Sequence, residues 1–437
     1  MEDDRISQLP DQLISQILSH LPIKESVKSS VLSTRWRSLW LWVTDLELIS
    51  KDYPDFDAFV GFGESFFDSN RVSSLHKLKL AIDEVYYEVD DVSYLTSWID
   101  AAIKRKIQHL SFHWCVHRPF HMMNHLRLYN CETLVYLDLL GVSIDNAEFV
   151  SFPCLKTMHL DDILYPNEAT LEKLVSCCCP VLEELKIFIS DGGDLKGFQV
   201  HSLSLKRFTL IRTCAFNFDS VPGVVIDAPL LCCLRIYDEK SESFIVNNMK
   251  SNAQLVVSLV FGLGDFNESK RSSIRSFLGG ISRVGDMTIH ADTFKRFCQY
   301  SKVEPLPQFG YMSDLAAEIC EPDLKCLPTF LESCPNLKSL TLRWRRCYAL
   351  IRSQEMRRIR FSSVPKCLLS SLEFVYLKVR ILGCAAETEI VRYFLENSAI
   401  LKKLTLLLTE DSRRRKYFLE NLSRIPIGSP KCEVVIL

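Results

Sequence analysis

The chain has 437 residues, with 52 basic and 54 acidic side chains, so its formal net charge is −2. A chain this close to neutral has no global field that would attract nucleic acid or an anionic membrane, and we expect neither partner. Hydrophobic residues make up 47% of the sequence, with only 15 Gly and 17 Pro, which predicts a folded chain without a long disordered tail. The length allows more than one domain.

The first residues are acidic and lead into a helical pattern instead of an apolar signal-peptide core. The longest apolar run, residues 255–264, is about half of what a bilayer span needs. We therefore expect an intracellular protein of the cytoplasm or nucleus. Its 17 cysteines are then expected to be free thiols instead of a disulfide framework.

Three short apolar stripes fill the first forty residues. The first follows Leu9-Pro10 and ends at Pro22, the second begins at Ile23, and the third contains Arg35-Trp36. Spacings of three and four residues within each stripe predict three short helices. So short a segment cannot bury this much apolar surface by itself. The surplus predicts a surface that a partner covers.

The same segment resembles an F-box of the plant type. The resemblance rests on Leu9-Pro10, Ile17-Leu18, Leu21-Pro22, residues 30–33 and Arg35-Trp36. It implies docking onto a Skp-family adaptor and, through that adaptor, onto a cullin of a ubiquitin ligase. By this analogy the residues expected on the adaptor surface are Leu9, Pro10, Leu13, Ile14, Ile17, Leu18, Pro22, Ile23 and Trp36.

Two other expectations concern the same helices. Leu32, Leu39 and Trp40 are expected to hold the three helices together. The alternative to an adaptor-binding module is a helical bundle that caps the rest of the chain and binds no partner.

A short unit of one apolar, one variable and one apolar residue recurs from about residue 75. Its spacing is about 25 residues, and residues 134–139 and 337–342 match the full L-x-x-L-x-L core of a leucine-rich repeat. Period-two alternation predicts strands with one buried face, which must stack because no unit can bury that face alone. Leu315-Ala316-Ala317 is a possible degenerate unit.

The segments between these units include two with helical spacing, residues 170–176 and 327–333. Each is followed by a Cys-Pro pair, which predicts the end of a helix. Alternating strands and helices with right-handed crossovers predict an α/β fold, a curved solenoid with a parallel sheet and outer helices.

A second resemblance lies near the end of the chain. Residues 361–373 are similar to the FBD domain that follows leucine-rich repeats in plant F-box proteins, and residues 389–406 resemble its remainder, a helix leading into the final repeat strand. Such a terminal unit could cover the open end of a solenoid. The predicted domains are an F-box at 1–50, leucine-rich repeats at 75–345, and an FBD domain with terminal repeat strands at 361–437.

The sequence offers no site for catalysis. It contains no nucleophile elbow, P-loop or dinucleotide-binding turn. Histidines recur every four residues from His109 to His125, a spacing that on a helix would put the imidazoles on one face, as a metal site would need. Pro119 would interrupt such a helix, and residues 110–112 fit a repeat strand better. We expect a non-catalytic chain with no metal and no cofactor.

Arginines are dense between residues 343 and 360, which predicts either a solvated loop or a site for a phosphate-bearing or acidic partner.

The function expected from these features is substrate recognition within a Skp–cullin–F-box ubiquitin ligase, in which the repeats hold an unidentified protein substrate. The alternatives are a hormone or inositol-phosphate receptor of the same family type and a repeat scaffold outside any ligase. The strand residues expected to face away from the core and bind substrate are Tyr136, Asp138, His159, Lys186, Arg207, Arg235, Arg343 and Tyr376.

Overall fold

The computed structural model describes residues 6, 8–68, 75–83, 93–115, 120–121, 130–144, 150–165, 167–190, 195–213, 220–262, 264–345, 361, 363–381, 385–408 and 418–437. The chain divides into two compact units, Met1–Leu205 and Lys206–Leu437. Both units are of the α/β class, and each contains parallel strands that recur along the chain.

The first unit begins with short helices and continues with alternating strands and helices. Its helices are α1 (Asp11–Leu18), α2 (Ile23–Lys28), α3 (Phe56–Phe67), α4 (Ser93–Lys104) and α5 (Glu168–Ser176), with 3-10 segments at Ser29–Val31, Trp36–Trp42 and Ser50–Asp52. Its strands are β1 (Asp45–Ile49), β2 (Lys77–Ile82), β3 (His109–Trp114), β4 (Phe120–His121), β5 (Tyr136–Leu140), β6 (Val142–Ser143), β7 (Thr157–Asp161), β8 (Glu184–Ile189) and β9 (Phe198–His201).

The second unit has the same alternation and includes the region similar to the FBD domain. Its strands are β10 (Arg207–Arg212), β11 (Val224–Asp227), β12 (Cys233–Asp238), β13 (Phe244–Asn247), β14 (Gln254–Leu259), β15 (Asp286–Ile289), β16 (Asp314–Cys320), β17 (Ser339–Arg345), β18 (Phe374–Ile381), β19 (Lys403–Leu408) and β20 (Glu433–Ile436). Its helices are α6 (Glu268–Ile281), α7 (Ala291–Ser301), α8 (Leu327–Glu332), α9 (Lys366–Ser370) and α10 (Ala385–Asn397), with a 3-10 segment at Glu321–Cys326.

The repeat strands form parallel ladders, as the sequence predicts. In the first unit the order is β1-β2-β3-β5-β7-β8, and in the second it is β10-β12-β14-β15-β16-β17-β18-β19-β20. The apolar positions of the repeats align across neighbouring strands, as Leu78 does with Leu110 and Leu110 with Leu137. These side chains are buried, whereas the residues between them are at least partly exposed. We call the strand ladders of the two units the first sheet and the second sheet; each has an apolar core face and a polar face.

Polar caps and Cys-Pro pairs set the limits of several helices. The side chain of Asn167 accepts a hydrogen bond from the backbone N–H of Thr170 and begins α5, which ends at Ser176, shortly before Cys179-Pro180. In the second unit, α8 ends at Glu332, before Cys334-Pro335. Among the described residues, no helix is long and apolar enough to cross a membrane.

Helix α7 packs on the core side of the second sheet. Its Thr293 hydroxyl is fully buried and lies 2.5 Å from the backbone nitrogen of Leu259 and 3.1 Å from the carbonyl oxygen of the same residue. The hydroxyl accepts from the N–H and donates to the carbonyl, so it satisfies both backbone groups at the end of β14. A polar side chain thus fixes the position of this helix against the strand.

The structure adds repeat strands that the sequence pattern did not reveal. Strand β1 lies within residues 1–50 and pairs with β2, so the sheet begins before residue 75. Strand β14 lies in the uninterrupted apolar run that begins at Leu255. Leu315-Ala316-Ala317, the possible degenerate unit, belongs to strand β16 and pairs with β15. Residues 346–360, which hold most of the predicted basic stretch, lie outside the described residues.

A buried ion pair joins two strand ends in the second unit. Arg212 and Asp238 are 3% and 1% exposed, and Nη1 of Arg212 lies 3.4 Å from Oδ2 of Asp238. Asp238 also accepts hydrogen bonds from the backbone of Lys240 and from both the backbone and the hydroxyl of Ser241. Burial lowers the pKa of Arg212, and the Asp238 carboxylate opposes that shift. The carboxylate therefore compensates a buried cation and orders the turn after β12.

We predict that Asp238→Asn destabilises the protein by about 3–5 kcal/mol, because it leaves the buried Arg212 charge without its counter-ion. The measurement is denaturant unfolding of the full chain followed by circular dichroism. Glu239→Gln removes an exposed carboxylate from the next residue and is the matched control. Equal unfolding free energies for the two variants would refute the stabilising role of the pair.

Candidate protein-interaction surfaces

The N-terminal helices have a small core of their own. Its buried members are Ile14, Leu18, Trp36, Leu39 and Val43, with Leu9 packed against them. Polar contacts hold the same segments together.

Two of these contacts join residues far apart in the sequence. The Ser26 hydroxyl donates to the Leu18 carbonyl at 2.8 Å, which ties α2 to the end of α1. The Arg35 guanidinium lies 2.7 Å from the Asp11 carboxylate and also donates to the carbonyl of Leu9. The Arg35-Trp36 pair therefore supports the module in two ways, with a charge at its rim and an indole in its interior.

Burial corrects part of the predicted adaptor surface. Ile14 is fully buried, and Leu18, Ile23 and Trp36 are 1%, 7% and 5% exposed. These side chains face the interior because α1 and α2 must bury one side against the segment Trp36–Trp42. As surface residues, these four were predicted wrongly.

The other predicted residues remain accessible. Pro10 and Pro22 are exposed, and Leu9 is half-buried. Leu13 and Ile17 lie four residues apart on α1 and are 46% and 45% exposed. This spacing puts them on one side of the helix. We call this pair the outer face of α1.

Further apolar side chains are exposed close by in the sequence. Leu21, Val31 and Leu32 all have large exposed fractions. Leu32 directly follows the 3-10 segment Ser29–Val31, and its 67% exposure contradicts the prediction that it holds the helices together. Together with the outer face of α1, these residues are the surplus apolar surface that the sequence predicts.

Trp40 has a different neighbour from the one predicted. Its ring lies 5.8 Å from that of Phe62 and 6.2 Å from that of Phe66, both on α3. The indole therefore connects the N-terminal helices to the helix that precedes β2, instead of joining the three short helices to one another. Such aromatic pairs contribute about 0.5–1.5 kcal/mol beyond area burial.

On the polar face of the first sheet, the predicted substrate-binding residues form a connected group. Asp138, His159 and Lys186 are aligned on β5, β7 and β8. The Tyr136 hydroxyl lies 3.3 Å from Nδ1 of His159, and His113 on β3 is hydrogen-bonded to Asp138 at 2.9 Å. The structure thus brings four predicted residues together.

Neighbouring charges on this face compensate one another. Burial raises the pKa of Asp138, but the hydrogen bond from His113 and the charges of His159 and Lys186 outweigh it and hold that pKa below its usual value. Burial and the Asp138 charge raise the pKa of Tyr136 to about 12, so the phenol is neutral at physiological pH. A groove of about 670 Å³ lies beside these residues and is lined almost entirely by polar side chains.

The four predicted residues of the second unit fall into two separate groups. Arg207 and Arg235 are exposed on β10 and β12. Arg343 is exposed on β17, and Tyr376 is half-buried on the adjacent strand β18. All four side chains lie on the polar face, as predicted.

Histidines near β3 do not form the helix that a four-residue spacing would allow. His109 and His113 lie on strand β3, while His117 and His125 are outside the described residues. Within the described part of the chain, no three His, Cys, Asp or Glu side chains gather in a group that could hold a metal ion.

Three family models match this chain. The F-box domain matches residues 6–47, the leucine-rich repeats of the FBD-associated F-box protein At5g56370 match residues 95–252, and FBD matches residues 360–406. The matches follow the same order as the N-terminal helices, the repeat strands and the strands β18 and β19.

Relatives from Arabidopsis thaliana are similar over the whole chain. "Putative FBD-associated F-box protein At5g53635" is 55% identical over 99% of this chain and 100% of its own length. "Putative F-box/FBD/LRR-repeat protein At2g05300" is 52% identical over 100% of this chain and 98% of its own. F-box/FBD/LRR-repeat protein At1g51370 is 43% identical over 100% of this chain and 96% of its own.

We predict that Trp36→Ala destabilises the N-terminal helices by about 3–5 kcal/mol, because it removes the largest side chain of their core. Hydrogen exchange of the α1 backbone amides measures this loss. Trp42→Ala is the matched control, since Trp42 is 45% exposed in the same 3-10 segment, and it should change protection little. Equal loss of protection in both variants would contradict the packing described for Trp36.

A second prediction concerns acid stability. Because the pKa of Asp138 is lowered in the folded protein, its carboxylate contributes stability above the unfolded pKa. That contribution is lost as the pH falls through the folded value. From about pH 5 to about pH 3, the unfolding free energy of Asp138→Asn should therefore decline less than that of the wild type. Identical declines for the wild type and Asp138→Asn would refute the assignment.

Proposed function

This chain belongs to the plant family of F-box/FBD/LRR-repeat proteins, and on that premise we propose that it is the substrate-recognition subunit of a Skp–cullin–F-box ubiquitin ligase. The F-box match implies binding to a Skp-type adaptor, and the cullin would join through that adaptor. The observation that carries the proposal is the accessible apolar outer face of α1 on a module that already has its own core.

The adaptor would cover the side chains that the module leaves outside. Leu13 and Ile17 are about half exposed on α1, and Pro10 and Pro22 are exposed at the starts of α1 and α2. Full burial of a large apolar side chain contributes about 1.5–3 kcal/mol, so completing the burial of several half-covered ones supplies enough for a stable contact. Ile14, Leu18, Ile23 and Trp36 support this surface from beneath and do not form it.

The polar face of the sheets would hold the protein to be ubiquitinated. Tyr136, Asp138, His159 and Lys186 offer hydrogen-bonding groups in the first unit, and Arg207, Arg235, Arg343 and Tyr376 do so in the second. Tethering would raise the effective concentration of a substrate lysine beside the charged conjugating enzyme. No group of this chain takes part in the transfer, and family members of this kind are typically non-catalytic adaptors.

We assign the proposed roles to successive ranges of the chain. Residues 1–50 would bind the adaptor, except that β1 belongs to the sheet. Residues 75–345 and 361–437 would present the substrate surface, and the protein would act in the cytoplasm or nucleus. Most of the arginines on which the receptor alternative depends lie outside the described residues.

We predict that Leu13→Gln combined with Ile17→Gln lowers capture of a purified plant Skp-type adaptor by about tenfold or more, because glutamine keeps the helix but removes apolar surface. Pull-down with the full chain, quantified by immunoblot, is the measurement. Unchanged helicity by circular dichroism shows that the variant is folded.

The matched control is Leu230→Gln combined with Val303→Gln, since these residues are 47% and 55% exposed in the second unit. This variant should capture the adaptor like the wild type. The proposed function fails if neither the wild type nor the control captures the adaptor, or if the outer-face variant captures it equally well.

A further inference from the structure

Three neighbouring strands of the second unit form a basic and aromatic surface. On the polar face of β17, β18 and β19, Ser339 aligns with Phe374 and Lys403, and Thr341 aligns with Tyr376 and Thr405. Arg343 aligns with Lys378 at the next position. We call this surface the β17–β19 platform. The FBD match covers two of its three strands, β18 and β19.

The positive charges of the platform form no ion pair in the part of the chain that the structure describes. Arg343, Lys378 and Lys403 are exposed, and no carboxylate there lies within ion-pair distance of their nitrogens. Arg343 aligns on β16 with Glu318, which is hydrogen-bonded to His290, and on β18 with Lys378; the like charges of Arg343 and Lys378 on adjacent strands cost free energy. An anion bound between them would remove that cost.

The first sheet does not share this property. On its polar face, Lys77 is paired with Glu47 at 2.8 Å, and Lys186 lies 3.4 Å from Asp161. These two lysines are therefore held by carboxylates of the same sheet. On the platform, by contrast, positive charge remains available to a ligand.

Aromatic side chains supply the apolar part of the platform. Phe374 is 44% exposed, and Tyr376 beside it is half-buried. The Lys378 ammonium lies 5.1 Å from the centre of the Tyr376 ring, a cation–π distance that holds the charge above the aromatic surface. Exposed aromatic residues beside basic ones are typical of the centre of a protein-binding surface.

Carboxylates limit the platform on both sides. On β16, Asp314 aligns with Ser339 and Glu318 with Arg343, and on β20 Glu433 aligns with Lys403. Three strands span only about 10 Å between the outer two, since neighbouring strands are about 4.8 Å apart. A long polyanion such as a nucleic acid would run into these carboxylates, whereas a short peptide segment would not.

We propose that the β17–β19 platform binds a short acidic segment of a protein, with its carboxylates at Arg343, Lys378 and Lys403 and an apolar side chain on Phe374 and Tyr376. This inference rests on the proposed function and names the class of substrate sequence that the repeats select. The partner would contribute a few Asp or Glu residues around one aromatic or large aliphatic residue.

Fluorescence polarisation on the full chain tests the proposal with a labelled synthetic peptide of Asp and Glu residues around a central Phe. The variant Arg343→Gln, Lys378→Gln, Lys403→Gln should bind it about tenfold or more weakly than the wild type. The control variant Lys250→Gln, Lys302→Gln, Lys366→Gln removes the same charge from exposed sites off the sheet and should bind like the wild type.

Two further peptides and a short single-stranded oligonucleotide complete the test. Binding should weaken when Asn and Gln replace the acidic residues, and also when Ser replaces the Phe. Equal loss in the platform and control variants, or no binding of the acidic peptide to the wild type, overturns the proposal. Tighter binding of the oligonucleotide, lost in the platform variant, overturns it in favour of nucleic acid.

The adaptor experiment fails independently of this one. Peptide binding without adaptor capture would leave the platform standing as a binding site and remove the ligase role. Adaptor capture without platform-dependent peptide binding would support the ligase role and overturn the platform as a binding site.

Discussion

Helix α1 carries apolar residues on more of its circumference than its own module can cover. Ile14 and Leu18 are buried against Trp36, while Leu13 and Ile17 on the same helix remain nearly half exposed. In a short helix with two apolar sides, the side left exposed to water is unfavourable in free energy. The proposed adaptor contact follows from that uncovered side. By binding it, the adaptor would also hold the repeats, which carry the proposed substrate surface.

The repeats bury their apolar surface within the chain itself. Each strand has one apolar face, which the stacked neighbours and helices such as α7 cover, and its alternate side chains are left on the polar face. Those polar side chains differ along the ladder. On the first sheet several of them pair with one another, as Lys77 does with Glu47 and His113 with Asp138, whereas on β17–β19 the basic ones form no ion pair among the described residues.

Much of this fold could be predicted from the sequence, because period-two alternation directly specifies which residues of a strand share a face. Strand β14 was missed because its apolar residues run without alternation, and β1 because it follows the helical pattern directly. Within α1, spacing alone could not decide which apolar residues turn inward. That depends on the indole of Trp36, which approaches from a separate segment, so Ile14 and Leu18 were wrongly assigned to the surface.

Hydroxyl-radical footprinting of the full chain, with and without a purified plant Skp-type adaptor, measures most directly whether the uncovered side of α1 is covered by another protein. The account predicts that Leu13, Ile17 and Leu21 lose most of their labelling when the adaptor is present. Leu203 and Leu230, which are exposed elsewhere, should keep theirs. Unchanged labelling of Leu13 and Ile17 at saturating adaptor would contradict the account.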